Sequence, residues 1–407
     1  MKKRQNNPVK NKTAKQNDQD FVATGQVKKK KKVKFNLTAI IAISGVLVAL
    51  LITYIVLVSL HPVGVSEFFA DRYATLGTGE GYNVSIEEGK PQYTVSADGR
   101  YFLITDTAVN CYNQSGKTIF SRSHSYSEPV LKFGDTRYIL YGQGENEVSL
   151  STMKETLFTN KFDNGIICAN ISKAGGYAVA TKADGYDSSV SVFDKNNKKI
   201  YEWFSPDETI NNVAVSDNGK YVMISTISVV DGTFVSSFYV LDFKRSDPIF
   251  ECKYENLAVY QLYAIGNDRC AVVSEGKLEF INYINNETKK FESEYSISMV
   301  KMVGNRFVSI SSIASNQEES IVEVYSLKGE QLSRFTVNSF VNDFAFKSDK
   351  IYILGLSKVM KYDTEGKLLA STPVDYDSMY IENVNDNEIA CVKNTTIDKY
   401  KLLAVGE

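Results

Sequence analysis

The stretch Val95-Ser96-Ala97-Asp98-Gly99-Arg100-Tyr101 returns further along the chain as Val215-Ser216-Asp217-Asn218-Gly219-Lys220-Tyr221. A looser copy reads Ile171-Ser172-Lys173-Ala174-Gly175-Gly176-Tyr177. In each copy an apolar strand ends, a polar turn follows, and a Tyr opens the next strand. Asp or Asn before Gly supplies the positive φ that a tight hairpin needs. The chain therefore repeats a β-hairpin.

A second hairpin accompanies the first. It recurs at residues 112–119 (YNQSGKTI), 193–200 (FDKNNKKI), 325–332 (YSLKGEQL) and 362–369 (YDTEGKLL). Each copy has an aromatic residue, a polar turn with Gly or Asn, and an aliphatic residue seven positions after the aromatic one. This spacing predicts a strand pair with a defined register.

The two hairpins together predict a repeat of about 40 residues with four strands, which is typical of a propeller blade. Inner strands are expected to begin near residues 93, 130, 168, 211, 260, 298, 341 and 379. The eighth repeat has only three strands, and we expect Tyr82–Ile86 to supply its outer strand and close the ring. The prediction is an all-β fold, a β-propeller of eight blades over residues 82–407, with seven blades as the alternative. An extended β-solenoid fits less well because its repeats are shorter.

These repeats resemble the degenerate repeats of WD40-like, YVTN and quinoprotein-like propellers. The layout of basic tail, apolar segment, Phe68-Phe69-Ala70-Asp71-Arg72-Tyr73 collar and Tyr-rich repeats also resembles an uncharacterised family of single-pass, membrane-anchored propellers from Gram-positive, clostridia-like bacteria. The resemblance implies a propeller fold and no known activity. The Gly-His and Trp-Asp pairs of WD40 repeats are missing, and Trp203 is the only Trp, so a quinone cofactor is not expected.

The apolar segment reads LTAIIAISGVLVALLITYIVLVSL over residues 37–60, with no charge and 15 Leu, Ile or Val. Each of these contributes about -0.3 to -0.6 kcal/mol to membrane insertion. A helix of this length reaches about 36 Å, enough for a hydrocarbon core of about 30 Å. We expect a transmembrane helix over residues 35–60. A cleavable signal peptide is the alternative, but it would be shorter and end in a small-x-small site.

Charge predicts the topology. Residues 1–34 carry 12 Lys or Arg and 2 Asp or Glu, including Lys28–Lys32 directly before the apolar segment. The positive-inside rule then places a disordered tail, residues 1–34, in the cytoplasm and the C-terminal domain outside it, in a single-pass protein of the cell membrane. Recognition of anionic lipid or nucleic acid by the Lys run stays an alternative. The remaining residues have a balance of -12, so the domain itself is not expected to bind nucleic acid.

Residues 61–81 are expected to form a juxtamembrane linker with a short helix. Ser66 is predicted to cap this helix, which carries Phe68, Phe69 and Tyr73 and ends before Gly77, Gly79 and Gly81. The G-x-G-x-G spacing invites a nucleotide-binding interpretation. Such a turn lies between a strand and a following helix, and here the order is reversed.

No pattern indicates a catalytic, cofactor or metal site. The five Cys residues contain no C-x-x-C pair and are expected to be buried thiols, at least one of them unpaired. Of two His residues, His61 follows the apolar segment and His124 is expected in a solvated loop. The S-x-x-K matches at Ser151 and Ser298 fall in strands, where the helical spacing that brings Ser to Lys is missing.

One face of the expected propeller is the candidate for a partner, because the loops within blades and those between blades meet there. The candidate residues on it are Tyr126, Asp184, Tyr186, Trp203, Phe204, Asp231, Phe234, Tyr260, Phe340 and Tyr376. Of these, Tyr126, Trp203, Phe204, Tyr260, Phe340 and Tyr376 are placed in interblade loops. Aromatic residues beside carboxylates suit contact with protein or glycan. The alternative is that these aromatics pack between blades.

Two functions follow as hypotheses. The first is a binding or scaffolding module for another envelope protein or for a cell-wall glycan, without cofactor. The second is an extracytoplasmic enzyme, a glycan hydrolase or lyase, with its site in the propeller tunnel; carboxylates there with perturbed pKa values would favour it. Signal relay through the tail is a third hypothesis, but the tail is short and is not expected to contain a folded domain.

Overall fold

The computed structural model describes residues 37–59, 63–79, 81–97, 99–293, 295–312 and 319–405. The chain divides into two compact units between Tyr54 and Ile55. The predicted disordered tail, residues 1–34, lies outside the described residues, as does His61.

Helix α1 (Leu37–Ser59) is 23 residues long and carries no acidic residue in its first turn and no basic residue in its last. Its aliphatic and Ala residues, with no Pro, favour an uninterrupted helix. Within the part of the chain that the structure describes, no helix combines the length and the hydropathy needed to cross a membrane. The transmembrane span stays a prediction from the sequence.

Helix α2 (Val65–Ala74) is the short helix expected in the linker. Glu67 in its first turn and Arg72 in its last complement the helix dipole. The prediction that Ser66 caps this helix is wrong. Gly64 occupies the N-cap with φ of 103°, a conformation that glycine adopts readily, and Ser66 lies inside the helix.

The described strands form eight antiparallel sheets, the blades. The strands of a blade are called A, B, C and D from the axis outwards. In chain order they are β1 (Val84–Ser85), then in blade 1 β2 (Pro91–Ala97), β3 (Arg100–Thr105), β4 (Ala108–Asn113) and β5 (Thr118–Ser123), in blade 2 β6 (Pro129–Phe133), β7 (Arg137–Gly142), β8 (Glu147–Thr152) and β9 (Thr156–Lys161), in blade 3 β10 (Ile166–Ile171), β11 (Tyr177–Ala183), β12 (Tyr186–Phe193) and β13 (Lys199–Ser205), and in blade 4 β14 (Thr209–Val215), β15 (Tyr221–Val230), β16 (Thr233–Asp242) and β17 (Phe250–Glu255).

The second half repeats the arrangement. Its strands are in blade 5 β18 (Val259–Ile265), β19 (Arg269–Ser274), β20 (Lys277–Asn282) and β21 (Glu287–Glu292), in blade 6 β22 (Ile297–Val303), β23 (Arg306–Ser312), β24 (Ser320–Ser326) and β25 (Gln331–Val337), in blade 7 β26 (Asp343–Lys347), β27 (Lys350–Leu354), β28 (Lys358–Asp363) and β29 (Leu368–Pro373), in blade 8 β30 (Tyr380–Asn385), β31 (Glu388–Val392) and β32 (Thr396–Lys401), and last β33 (Leu403–Ala404). Every A strand begins within two residues of its predicted start. The eight-blade prediction is confirmed.

Blade 8 is completed by both ends of the domain. Strand β1 pairs with β32, with Val84 opposite Ile397, and the Ile86 N–H donates to Thr395 O at 2.9 Å. This confirms that Tyr82–Ile86 supplies the missing outer strand. The chain then continues past β32, and β33 pairs with β29 as a fifth strand of blade 7, with Ala370 opposite Ala404. The sequence did not indicate this second closure.

Hydrophobic clusters lie between consecutive blades all the way round. The cluster between blades 8 and 1 joins Tyr101 and Leu103 to Val392 and Ile397, and so closes the ring. The B strands read as nearly continuous apolar runs because both faces of every sheet are covered by a neighbouring blade. In β3, for example, every residue is buried.

The repeated turns have the local geometry that their sequences indicate. Gly99 has φ of 76° and Gly219 has φ of 64°. The C and D strands shift register next to the aromatic residue that opens each second hairpin, at Tyr112, Phe193, Tyr325 and Tyr362. A bulge at the same place in four blades makes these hairpins structurally equivalent.

Candidate functional site

The propeller has two chemically different faces. Because neighbouring strands are antiparallel, the connections from A to B and from C to D open on one face, called the AB/CD face. The connections from B to C and from D to the next A strand open on the other, the BC/DA face. In the sequence the BC and DA connections hold 16 Asp or Glu and 2 Lys, a balance of -14, whereas the AB and CD connections hold 11 acids and 10 bases, a balance of -1.

In the sequence, the sixteen acids of the BC and DA connections are Glu87, Glu88, Asp106, Glu128, Glu145, Asp163, Asp184, Asp207, Glu208, Asp231, Glu275, Glu294, Glu318, Glu319, Asp375 and Asp377, and the two lysines are Lys90 and Lys393. Glu294 and Glu318 lie outside the described residues, and the other fourteen acids are distributed over all eight blades. The ten bases of the AB/CD face are Lys117, Lys154, Lys173, Lys195, Lys198, Lys220, Lys244, Arg245, Lys328 and Lys367. The side chains of Asp184, Asp231 and Glu275 make no hydrogen bond or ion pair with any other described residue, and all three residues are exposed.

Helix α2 is docked on the AB/CD face by two ion pairs. Arg100, at the start of β3, donates from Nη1 to Asp71 Oδ2 at 2.9 Å, and these side chains are 1% and 4% exposed. Arg137, at the start of β7, holds Glu67 with two bonds of 2.7 Å, one from Nε and one from Nη2. Burial raises the pKa of Asp71, and the Arg100 guanidinium opposes this rise. Buried pairs of this kind fix a geometry strongly, because removing one partner leaves the other charge uncompensated.

The glycine segment after α2 packs on the first blade. Asn113 Nδ2 donates to Thr75 O at 3.0 Å and to Gly77 O at 2.9 Å. A Cβ on Gly79 would lie 2.6 Å from Lys117 Cα. The G-x-G-x-G spacing thus permits close backbone packing against the CD turn of blade 1.

The structure places all ten predicted partner residues at the BC/DA end of the propeller. Asp184, Asp231, Phe340 and Tyr376 lie in connections and are exposed, Tyr376 to 84%. Tyr186 and Phe204 are also exposed and form a ring pair with centroids 4.8 Å apart. Whether this surface binds a partner stays a prediction.

Four of the ten residues are only partly available. Trp203 is half-buried and packs against Tyr239, with ring centroids 5.8 Å apart, in the core between blades 3 and 4. Phe234 is half-buried opposite Val229. Tyr126 is half-buried against the His124 ring. Tyr260, although part of its ring is exposed, donates its hydroxyl hydrogen to Ile297 O at 2.8 Å. For these four residues, packing within and between blades covers much of the side-chain surface.

The prediction that Trp203, Phe204 and Tyr260 lie in interblade loops is wrong. Trp203 and Phe204 belong to β13, and Tyr260 belongs to β18. The connections from β11 to β12 and from β15 to β16, which hold Asp184 and Asp231, are short turns of two residues between long strands. Aromatic and β-branched residues extend strands towards the loop tips, which sequence patterns locate poorly.

The tip of blade 4 carries exposed apolar residues that the sequence did not single out. Strands β15 and β16 are ten residues each and end in an Asp231-Gly232 turn with φ of 49° and 78°. Val229 is 71% exposed and Val230 is 52% exposed beside this turn. Two adjacent valines at the tip of an Asp-Gly hairpin were the signal available in the sequence.

A polar groove of about 530 Å³ lies between blades 1 and 2 and contains His124, Arg122 and Tyr126. The His124 ring nitrogens are both engaged: Nε2 lies 3.1 Å from Thr105 O, and Nδ1 accepts from the Tyr126 N–H at 3.3 Å. Burial lowers the pKa of His124. Arg122 donates to Tyr138 Oη and to two carbonyl oxygens. These hydrogen bonds hold the side chains that line the groove. Because both ring nitrogens of His124 are engaged, neither is available to act as a general base.

The A strands near the axis carry a chain of polar contacts from blade 6 to blade 1. Lys301 Nζ donates to Asp343 Oδ1 at 2.6 Å, and Asp343 Oδ2 accepts from the Ile381 N–H at 3.0 Å. Ser96 Oγ donates to Glu382 Oε2 at 2.7 Å. Burial raises the pKa of Glu382 to about 7, and its Oε1 has no hydrogen-bond partner among the described residues. Glu382 is therefore a carboxyl group with a raised pKa in an innermost strand. It is 4% exposed and accepts a hydrogen bond from the neighbouring blade.

All five cysteines are free thiols. Cys111, Cys270 and Cys391 are buried as expected, while Cys168 and Cys252 are half-buried. Among the residues that the structure describes, no three His, Cys, Asp or Glu side chains converge as a metal ion would require.

Comparison with known proteins places the domain among propellers. Residues 72–402 match DUF5711, a family of unknown function. Among curated proteins, none matches the sequence. The crystal structure of BamB from Moraxella catarrhalis is similar with a TM-score of 0.50 and 11% identity, over 78% of this chain and 99% of BamB. A eukaryotic initiation factor is similar with a TM-score of 0.51 and 12% identity, over 79% of this chain and 89% of the other.

These similarities concern the fold alone. They confirm the resemblance to WD40-like propellers at the level of architecture, and the match to a family of unknown function agrees with a family without known activity. Membrane anchoring and a clostridia-like origin stay predictions from the sequence.

Proposed function

We propose a function for this chain, which belongs to the DUF5711 family of unknown function, from the contrast between its two faces. The protein is a membrane-anchored, extracytoplasmic binding or scaffolding module. Its BC/DA face holds a basic segment of another envelope protein. It uses no cofactor, and it does not bind nucleic acid.

The observation that carries this proposal is the coincidence of charge and exposed apolar surface on the BC/DA face. In the sequence the connections of that face hold 16 acids against 2 lysines, 14 of the acids within the described residues, and the face displays Tyr186, Phe204, Val229 and Tyr376. A concentrated charge of one sign raises the association rate of an oppositely charged partner, and aromatic anchors supply binding energy once contact is made. A basic partner with apolar residues fits both features.

The same charge argues against other partners. A phosphate backbone, or a wall polymer rich in phosphate or carboxylate, would be repelled by a balance of -14. A neutral cell-wall glycan remains compatible with the aromatic residues but leaves the acids without a role. A basic protein segment is therefore favoured over a glycan.

The membrane anchor rests on the sequence. Residues 37–60 are uncharged and strongly aliphatic, and Lys28–Lys32 precede them, so a single span with the N-terminus in the cytoplasm is the arrangement supported best. The propeller would then lie outside the cytoplasm, where envelope proteins and the cell wall are within reach.

Crosslinking in intact cells followed by affinity capture of the full chain tests the proposal. The test variant carries Asp184→Asn, Asp231→Asn and Glu275→Gln, changes that remove charge while Asn still suits the tight turns. The matched control carries Lys198→Gln, Lys244→Gln and Lys328→Gln on the AB/CD face. We expect a basic protein to be recovered with the wild type and with the control, and its yield to fall several-fold with the test variant. Equal recovery with both variants, or recovery of glycan alone, would contradict the proposal.

A second candidate function is glycan hydrolysis or elimination in the tunnel, and Glu382 is the observation that favours it. A carboxyl with a pKa of about 7 can act as a general acid at neutral pH. Against this, Glu382 is almost fully buried and accepts a hydrogen bond from Ser96 across the blade interface. The test is turnover of cell-wall glycan by the purified protein: activity that disappears in Glu382→Gln would support an enzyme, and absence of turnover in the wild type would remove this candidate.

A further inference from the structure

Helix α2 turns two carboxylates towards the propeller and leaves large apolar side chains exposed on its outer side. Its carboxylates Glu67 and Asp71, four positions apart, point into the propeller and form ion pairs there, and Asp71 is only 4% exposed. Tyr73 is 79% exposed and Leu76 is 61% exposed, on the side away from those ion pairs. A helix on the surface of a protein in water usually buries its apolar side chains and exposes its charges. The arrangement here indicates that something other than water meets the outer side of α2.

The exposed residues follow helical spacing. Phe69, Tyr73 and Leu76 are separated by four and three positions, and the Leu76 N–H donates to Tyr73 O at 3.1 Å, which keeps Leu76 on the helical turn. An aromatic ring with a polar tip beside aliphatic residues is the composition that membrane interfaces favour. Arg72 stands next to Tyr73, and long basic side chains can keep their charge at the headgroups while the stem lies in apolar surroundings.

The charge of the surrounding surface permits the same environment. The AB/CD face, on which α2 is docked, is nearly neutral and carries ten Lys or Arg in its connections. An anionic lipid surface attracts such basic residues. The BC/DA face, with its balance of -14, would be repelled. Position in the chain agrees, since only residues 60–64 separate the end of α1 from the start of α2.

We infer that α2 is an interfacial helix, and that the side chains of Tyr73 and of Leu76, two residues beyond its end, enter the boundary between lipid headgroups and acyl chains. The inference rests on the proposed membrane anchor. It assigns the AB/CD face to the bilayer and the BC/DA face to the partner, and it gives the two ion pairs a purpose: they hold the propeller at a fixed orientation on the lipid surface.

Fluorescence of single introduced tryptophans in the full chain tests this inference. Tyr73→Trp places a reporter on α2, Leu76→Trp provides a second one nearby, and Tyr376→Trp places the control on the BC/DA face at a residue that is 84% exposed. The emission of Trp203, the only native Trp, is subtracted with the wild type. Each protein is reconstituted in vesicles of phosphatidylcholine and phosphatidylglycerol, with and without bromine on the acyl chains.

The expected result is a blue-shifted emission from the Tyr73→Trp and Leu76→Trp reporters and a loss of signal in brominated vesicles, as for a side chain at the acyl boundary. The Tyr376→Trp reporter should show neither change. Flotation of the vesicles separates two kinds of failure. Protein that floats but shows no quenching at residues 73 and 76 overturns the interfacial helix and leaves the anchor standing. Protein that does not float with the vesicles overturns the anchor and the inference together.

Discussion

The AB/CD and BC/DA faces are built by the same eight repeats, yet they differ in net charge and in how far hydrogen bonds within the repeat explain their acidic residues. On the AB/CD face, acids and amides serve the backbone: Asp194 Oδ1 accepts from the Asn196 and Lys198 N–H groups at 2.9 Å, and Asp363 Oδ1 accepts from the Glu365 and Lys367 N–H groups. On the BC/DA face, Asp184, Asp231 and Glu275 have no such partners among the described residues. Turn geometry explains the first group. It does not require the charge of the second, because Asn forms the Asp-Gly type of turn as well.

The contrast shows how residues that serve folding can be separated from residues that serve function in a repeat protein. Every blade must satisfy its hairpin turns, so residues that recur at a turn are explained by folding. Residues that accumulate on one face without a local bond need another cause. Here the AB/CD face is fastened to α2 through Arg100 and Arg137. On the BC/DA face Asp106, Glu145 and Glu208 accept hydrogen bonds within the propeller, so the residues that need another cause are the exposed ones such as Asp184, Asp231 and Glu275.

The largest expected effect comes from cutting the tie between α2 and the AB/CD face. Arg100→Met leaves Asp71 buried without a counter-ion and should lower the free energy of unfolding by about 3–5 kcal/mol. The double variant Arg100→Met with Asp71→Leu should recover much of this loss, since it removes both charges. Urea denaturation of the wild type and both variants provides the measurement.

The matched control is an exposed ion pair on the same face. Lys173 and Asp217 are 2.7 Å apart with the Lys side chain 56% exposed, so Lys173→Met should cost no more than about 1 kcal/mol. If Arg100→Met behaved like Lys173→Met, the docking of α2 would not depend on buried charge and the contrast between the faces would weaken.

The next effect concerns the axis that connects the two faces. Burial raises the pKa of Glu382 from its ordinary value of 4.5 to about 7, so the folded state holds this proton at a pH where the unfolded chain has lost it. The stabilisation is complete below pH 4.5 and is lost as pH rises through 7. Over that interval stability should fall by on the order of 3 kcal/mol in the wild type. Glu382→Gln should remove this dependence, as measured by urea denaturation at several pH values between 5 and 8.

A second variant sharpens the pH experiment. Ser96→Ala removes the hydrogen bond that Glu382 Oε2 accepts, which favours the charged form, and should move the loss of stability to higher pH. A Glu382→Gln profile identical to that of the wild type would show that the titration belongs to another group.

Electrostatic selectivity of the BC/DA face should be a smaller effect. The triple variant Asp184→Asn, Asp231→Asn, Glu275→Gln should bind a lysine-rich peptide several-fold more weakly than the wild type, a change of about 1 kcal/mol. The AB/CD control with Lys198, Lys244 and Lys328 changed to Gln should bind as well as the wild type or better. Titrations at low and high salt supply the measurement, since added salt should reduce the difference. Equal loss in both variants would indicate attraction to net charge and no preference for one face.

The smallest effect is expected at the tip of blade 4. Val229→Ser with Val230→Ser should change the free energy of unfolding by no more than about 0.5 kcal/mol, because both side chains already face solvent. The melting temperature should therefore change little. Ile224→Ala in the same strand should cost about 2–5 kcal/mol, since Ile224 is fully buried. A large loss from the tip valines alone would mean that they pack in the folded chain and are not a docking surface.

Much of the architecture could be read from the sequence. The Asp-Gly and Asn-Gly turns, the aromatic residue at the start of each second hairpin and the spacing of the repeats predicted the A strands within two residues. The closing strand at Tyr82–Ile86 followed from counting strands in the eighth repeat. The ten candidate residues were predicted to share one end of the propeller and lie there in the structure, although Trp203, Phe204 and Tyr260 lie in strands, and their role as a partner site stays a prediction.

The sequence by itself determined what depends on neighbours in the chain: hairpins, turns and the length of the repeat are set by bonds and side chains a few residues apart. Only the tertiary structure decided which residues from distant parts of the chain meet. The Arg100–Asp71 and Arg137–Glu67 pairs join α2 to blades 1 and 2, β33 joins the end of the domain to blade 7, and Glu382 of blade 8 meets Ser96 of blade 1. These contacts depend on the packing of α2 and the blades, and the last on the curvature that brings the eighth blade against the first, which no local pattern encodes.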